Sequence, residues 1–515
     1  MKIARDLEYK RERIERADGS FFNLIEVKTA ASRGAAFERV NSDNIEEKLF
    51  DIGYLRLLKA KERGIAKPAV IVWAGYQHSR SPYDFFENIS KAENELFLSL
   101  NAYLNGNLRY LVKNNNYEII NQKIYIKKVK NKKDREAAEV LNFLKEENRI
   151  KFFQFADEMT LEEIHNNLNV VHDLTAVGEI DYPSDYCRKN KYQLGFNASF
   201  FLLEFTDWES RYSLLGDPYN LQISKGKIIR PPIYKRSALL QSEDGSWVIK
   251  KLFLLDLLLT FQGQLFDLSK FKLNQPGEKT LYTRYLGVKE EGFSQSRTPK
   301  ADKKLELIII DCSVVGIRTA GESEIPQNGF VLSISDQLLE IKNLNELEVN
   351  YQFKNRAKYL SGIQSGPALI EAGELLLDNN SLKNEQFFGE YLKKSELKFG
   401  KVVPTDYAQD IDQTRAARII AGVDQSERFS LLAVESANSG MGLADDSSGA
   451  TLKEMAELAL ERNYRYALNL DGGGSTNIQY HYGNLLKTAD RRGLPGVVYE
   501  RMIPVLGVLK NNKND

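Results

Sequence analysis

From about residue 150 onward, apolar residues come in short runs broken by Gly, Asn and Pro, which is the texture of strands joined by turns. "YQLGFNASFFLLEF" (192–205), "LQISKGKIIRPP" (221–232), "LELIIIDCSVVGIR" (305–318) and "FVLSISD" (330–336) are predicted strands. So are "RIIAGVD" (418–424), "FSLLAVES" (429–436) and "RYALNLD" (465–471). One segment has helical spacing instead. In "TLKEMAELALERN" (451–463), Leu452, Met455, Ala456, Ala459 and Leu460 fall on one face, and Thr451 with Glu454 forms a capping-box pattern.

The first 150 residues differ in texture, being rich in Lys, Asn and Glu. "IEEKLFDIGYLRLLKAKERG" (45–64) and "ENISKAENELFLSLNAYLNG" (87–106) are predicted helices, and "AVIVWAGY" (69–76) a buried strand. The expected organisation is an α-rich or α/β N-terminal module of unknown role over 1–150, then a second unit over 151–515. Strands with few helices over so long a stretch predict an α+β fold built on mixed sheets.

A chain of 515 residues is too long for one compact core, and 42% hydrophobic content supports more than one. Lys+Arg and Asp+Glu both number 71, so no net field favours nucleic acid or an anionic membrane. The two cysteines, Cys187 and Cys312, and four dispersed histidines have neither disulfide-framework nor zinc spacing, so no metal site is expected. The start is charged, without an apolar leader core, and "LFLLDLLLTF" (252–261) is too short to span a bilayer. A soluble cytoplasmic protein is expected, unless it is exported by a route that this N-terminus does not display.

The segment with the clearest chemistry is "YALNLDGGGSTNIQYHYG" (466–483). Ile478, Tyr480 and Tyr482 alternate with polar residues, so the order is strand, glycine loop, strand. Phosphate loops of the Walker or Rossmann type lead into a helix, and no lysine follows these glycines, so a nucleoside triphosphate or dinucleotide cradle is disfavoured. Gly472, Gly473, Gly474, Ser475 and Thr476 can still offer N–H groups and hydroxyls to an anion beside Asp471. A tight turn in which Asp471 bonds its own loop is the other reading of this segment.

"LNLDGGGST" resembles the signature of the phosphodiester glycosidase family. Further segments follow in family order: "GFNASFF" (195–201), "ISKGKIIRPP" with "RSALL" (236–240), "DGSW" (244–247), "LNQPGEKTLYTRYLG" (273–287) and "IPQNGFVLS" (325–333). After these come "SGPALIEAGE" (365–374), "RIIAGV" (418–423), "GATLKEMAELA" (449–459) and "YERMIPVLGV" (499–508). The resemblance covers about 190–510 and leaves the first 150 residues outside it. It implies hydrolysis of the anomeric bond of a sugar 1-phosphodiester, such as one of N-acetylglucosamine, without a cofactor and with a small-molecule or glycan phosphodiester as partner.

Under that resemblance Asp471 is the nucleophile or general base. Arg418 is the residue to grip phosphate oxygens in pairs, with Arg415 its competitor and Arg501 a weaker third candidate. Asn197 would bond a sugar hydroxyl or acetamide through both ends of its amide, and Gly366 would let substrate approach the backbone. "RIIAG" departs from the family's Arg-small-Ala-aliphatic-Gly form, which alters the bulk beside Arg418. Two other classes stay open: a protein that binds a phosphorylated glycan or nucleotide without cleaving it, and a two-headed effector or toxin whose N-terminal part has its own activity.

Overall fold

A computed structural model of the chain describes residues 7–29, 34–41, 179–202, 216–284, 297–339, 346–377, 381–387, 414–436, 447–481, 483–486 and 500–509. It also describes residues 128–130, 212 and 341 and short strands at 2–4, 69–73, 97–99, 117–120, 123–126 and 151–154. Among the described residues the fold is largely β, which the expected α+β class fits loosely. Among the described residues, helix is confined to α1 (Pro183–Asn190), α2 (Leu452–Glu461), the single turn Ser381–Asn384 and a few 3-10 turns.

The described elements of the first 150 residues are strands. Ala69–Trp73 is a strand, as its apolar run predicts, whereas Phe97–Ser99 is a strand inside the segment expected to be helical. A short apolar run such as "LFLSL" satisfies either period, and here pairing with Ala69–Trp73 decided it. The expected helix at 45–64 lies outside the described residues.

Two antiparallel sheets frame the region of the glycine loop. The larger contains, in spatial order, Lys2–Ala4, β1 (Leu7–Glu15), β2 (Phe21–Thr29), Phe429–Val434, Arg418–Asp424, Tyr464–Asn469, Ala368–Glu371 and Glu374–Leu375. The smaller runs Gly483–Asn484, Ile478–Tyr480, Leu194–Asn197, Val505–Leu509 and β3 (Ala36–Arg39). Their inner faces share one core: Ile25, Val27, Ala421, Leu431 and Leu468 meet Phe196, Ile478 and Val505. A second core lies under the sheets of residues 221–359, with Leu240, Leu259, Phe330 and Leu332 at its centre.

The first forty residues are therefore woven into sheets of the C-terminal part. β2 pairs with Phe429–Val434 in the register Leu431↔Val27, and β3 pairs with Val505–Leu509. Asp18 and Gly19 make the β1–β2 turn: the Asp18 carboxylate accepts from Ser20 N at 2.9 Å, and Gly19 takes φ +78°. Charged residues stand on both faces of β1, and Arg11 makes a two-pronged bond to the buried Glu435 carboxylate at 2.9 Å.

Helix α2 begins as its sequence specifies. Thr451 Oγ1 accepts from Glu454 N at 3.1 Å, and Thr451 N donates to the Glu454 carboxylate at 2.8 Å. Its buried face includes Leu452, Met455, Ala456 and Ala459, but Leu458 replaces the expected Leu460, which is 42% exposed. The helix packs across Tyr464–Asn469 and the 368–375 hairpin together, so the buried arc is shifted toward Leu458.

Candidate active site

Tyr464–Asn469 ends at Leu470, and the glycine loop follows as one turn of 3-10 helix, Gly473–Ser475, before Ile478–Tyr480. Strand, loop, strand is thus the observed order. The three glycines are needed for three different reasons. A Cβ on Gly472 would lie 3.0 Å from the Ala417 carbonyl oxygen; Gly473 takes φ +59°; a Cβ on Gly474 would lie 2.2 Å from Arg501 Nη2.

The loop is held mostly by its own donors. Gly473 N donates to Ala417 O at 2.8 Å, Ser475 N to Gly472 O and Thr476 N to Gly473 O, both at 3.2 Å. An anion nest using every N–H from 472 to 476 is therefore not what forms, because two of these groups close the turn and a third ties it to Ala417. The open atoms nearby are side-chain oxygens: Asp471 Oδ2 and Thr476 Oγ1 are buried without a hydrogen-bond partner, and so is Asn469 Oδ1.

Asp471 is buried, and burial pushes its carboxyl up to about 6. The Ser475 hydroxyl, the Arg501 charge and Gly472 N–H oppose that rise by favouring the ionised form. Arg501 Nη1 in turn donates to Ser475 Oγ at 3.2 Å. The result is an acid poised near neutrality, with one oxygen held and the other unpartnered, beside a guanidinium.

The three arginine candidates separate clearly. Arg501 lies against Gly474 and Ser475, in direct contact with the loop. Arg418, which begins its strand, packs along Gly472, with Nη1 4.0 Å from where a Cβ would stand. Its Nε donates to Ala450 O at 3.3 Å and Nη2 to Thr414 O at 2.8 Å. Arg415 faces elsewhere, pairing with Glu454 at 3.5 Å and Asp18 at 3.7 Å near the start of α2.

Asn197 is engaged with the loop: Nδ2 donates to Asp471 O at 2.5 Å and Oδ1 accepts from Asn477 N at 2.9 Å. Both ends pin the loop, because Leu194–Asn197 pairs directly with Ile478–Tyr480 and leaves Asn197 at the loop's base. Gly366 is closely packed. It takes φ +109°, donates N–H to Asn469 O at 2.8 Å, and a Cβ there would lie 2.7 Å from Glu385 Oε2.

A second carboxyl, which sequence reading did not single out, joins this network. Burial pushes Glu500 up to about 7, against hydrogen bonds from Ser184 and Asn477. Its Oε1 accepts from Ser184 N at 2.8 Å, in the first turn of α1, from Gln479 Nε2 at 2.8 Å and from Asn477 Nδ2 at 3.3 Å. The alternation Asn477–Gln479 in the strand after the loop was the available signal, since two polar residues on one buried face require a partner. Among the described residues no group of three or more His, Cys, Asp or Glu side chains is placed to hold a metal ion. No described helix is long and apolar enough to cross a membrane.

Comparison with known families matches residues 306–505 to the phosphodiester glycosidase model. That span holds Gly366, Arg418, the 471–476 loop and Arg501, while Asn197 and the earlier motifs precede it. No curated protein matches the chain. Similar solved structures include a hypothetical protein from Synechocystis, 15% identical with TM-score 0.42, covering 98% of this chain. This chain spans 62% of that protein's length. The catalytic domain of zebrafish N-acetylglucosamine-1-phosphodiester alpha-N-acetylglucosaminidase, auto-inhibited by its pro-peptide, is 10% identical with TM-score 0.38, covering 99% of this chain and 85% of its own. A protein described as exported from Burkholderia pseudomallei K96243 is 14% identical with TM-score 0.41, covering 99% of this chain and 97% of its own. Over residues 306–505 this chain is thus similar to the phosphodiester glycosidase family.

Proposed function

We propose that the chain is a hydrolase that cleaves the anomeric bond of a sugar 1-phosphodiester, with N-acetylglucosamine-1-phosphodiester as a representative substrate. The observation that carries this reading is Asp471: a buried carboxylate with an unpartnered oxygen, beside the Arg501 guanidinium. As a base, Asp471 takes a proton from water while the water oxygen bonds to the anomeric carbon. The electron pair of the breaking carbon–oxygen bond stays on the phosphate, which leaves as a monoester. As a nucleophile, Asp471 bonds that carbon first and water releases it afterwards.

Arg418, Arg501 and the 472–476 loop hold the phosphate. A phosphate monoester leaves more readily than an alcohol, so charge stabilisation here replaces the strong acid that ordinary glycosides require. Asn197 serves as a positioning residue, fixing the backbone on both sides of the loop. Both roles of Asp471 need its ionised form, so turnover rises with pH through about 6.

The test is incubation of the full chain with a panel of sugar 1-phosphodiesters, following release of reducing sugar, with Asp471→Asn alongside. Release by the wild type and its loss in the variant is the expected result. Near wild-type release by Asp471→Asn removes that residue from the mechanism, and ligand retained unchanged by both proteins marks a binder rather than an enzyme.

A further inference from the structure

Arg236 opens the strand Arg236–Ser242 and is fully buried, yet its Nε, Nη1 and Nη2 have no hydrogen-bond partner. A guanidinium stays protonated at any accessible pH, so burying one without acceptors is costly. Arg230 shows how this chain ordinarily meets that demand, with Nε and Nη2 each 2.6 Å from the Asp311 carboxylate. Near Arg236 the buried carboxylate Glu385 is already engaged, accepting from Ser237 N at 2.8 Å and Ala368 N at 3.0 Å.

What surrounds Arg236 is aromatic. The guanidinium carbon lies 3.8 Å from the ring centroid of Phe387, 5.6 Å from Phe200, and 5.8 Å from both Tyr219 and Tyr234. Aromatic faces stabilise the charge, but they do not accept the N–H groups that point outward in the guanidinium plane. Asn220, next to the wall residue Tyr219, is also buried with both amide atoms unpartnered. Unmet donors on a fully buried guanidinium are the mark of a place shaped for oxygen acceptors that the described residues do not supply.

The cage adjoins the loop of Asp471. Ala198, two residues before Phe200, accepts at its carbonyl from Asp471 N and from Ser365 Oγ, both at 3.4 Å. Ser365 N donates to Ser237 O at 3.2 Å, beside Arg236. We propose that the Arg236 cage is a second oxyanion pocket, which takes a phosphate group of the ligand other than the one at the sugar C1. Building on the hydrolase reading, this narrows the substrate class to sugar 1-phosphodiesters that carry another phosphate, including sugar diphosphates. Entry requires a wall to move, and Phe387, directly over the guanidinium, is the ring in the way.

The probe is inorganic phosphate, titrated into the full chain against chloride at matched ionic strength, with the melting temperature as readout. The Arg501→Ala background removes one guanidinium from the loop, and the part of the remaining response that depends on Arg236 reports the cage, Arg418 being common to the proteins compared. In that background the phosphate-dependent rise persists, and adding Arg236→Met reduces it to the residual that Arg418 carries. Adding Arg236→Lys, which keeps charge but loses the fork, weakens the apparent affinity about tenfold and covers the case in which the methionine variant fails to fold. The proposal is overturned if Arg501→Ala alone eliminates the response, or if either Arg236 variant titrates like its parent. Because the readout is binding rather than turnover, it stands apart from the hydrolysis assay. Absence of hydrolysis with an Arg236-dependent phosphate response defeats the catalytic reading alone, and Asp471-dependent hydrolysis without that response defeats this one alone.

Discussion

Replacing Asp471 by Asn should make the protein more stable, by an amount that depends on pH in a defined direction. Asparagine has nearly the shape of the protonated acid, so the variant mimics the wild type with its proton fixed in place. Burial raises the Asp471 carboxyl from 3.8 to about 6. A carboxyl whose folded value is raised binds its proton more tightly in the folded state. Its ionisation therefore destabilises the fold above about pH 6, and the penalty fades as pH falls toward 3.8. The gap corresponds to about 3 kcal/mol at pH 7, and to roughly half that at pH 5. Urea unfolding of both proteins, followed by tryptophan fluorescence from pH 8 to pH 5, measures it. Glu500 titrates in both proteins and cancels in the difference. An Asp471→Asn protein no more stable than wild type at pH 8, or a difference that does not narrow by pH 5, refutes the claim that burial poises this carboxyl. The same variant should be inactive in the hydrolysis assay, so that stability and activity are expected to move in opposite directions at one atom.

Asn197→Ala leaves the Asp471 carbonyl and Asn477 N–H buried without partners, which costs about 3 kcal/mol and loosens the loop. The thermal unfolding temperature should drop accordingly, and kcat should fall with the loosened loop. Gly474→Ala pushes against the flexible end of Arg501, so the fold should survive while KM for the phosphodiester rises. Gly473→Ala, with open space but φ +59°, should instead cost about 1 kcal/mol of stability and leave KM nearly unchanged; equal effects on KM would break the assignment of Arg501 to the phosphate. Thr451→Ala removes the α2 cap and should lower stability by about 1 kcal/mol in urea titration, with no shift in the pH–rate profile.

Much of the local structure was written in short-range pattern. Apolar runs placed the strands at Arg418–Asp424, Phe429–Val434, Tyr464–Asn469 and Gly329–Ser335, because period and turn residues act within a few positions of one another. The cap of α2 was equally legible, since Thr451 and Glu454 are three residues apart. So was the position of Asp471 in a glycine loop between strands. The ordered series of motifs was enough to indicate the family that residues 306–505 match. What the pattern did not carry is distant pairing. β2 joins a strand some four hundred residues away, which places its residues in the main sheet. Partner choice was likewise invisible: Asn197 is spent on the backbone, Arg415 on Glu454, and Arg501 rather than either lies against Gly474. The poise of Asp471, the Glu500 network and the unpartnered guanidinium of Arg236 come from desolvation. The sequence by itself determined which residues form strands, turns and caps, because those choices are settled by neighbours along the chain. Only the tertiary structure decided which polar groups are satisfied and which are left waiting, because burial and hydrogen-bond partners are set by segments far apart in sequence.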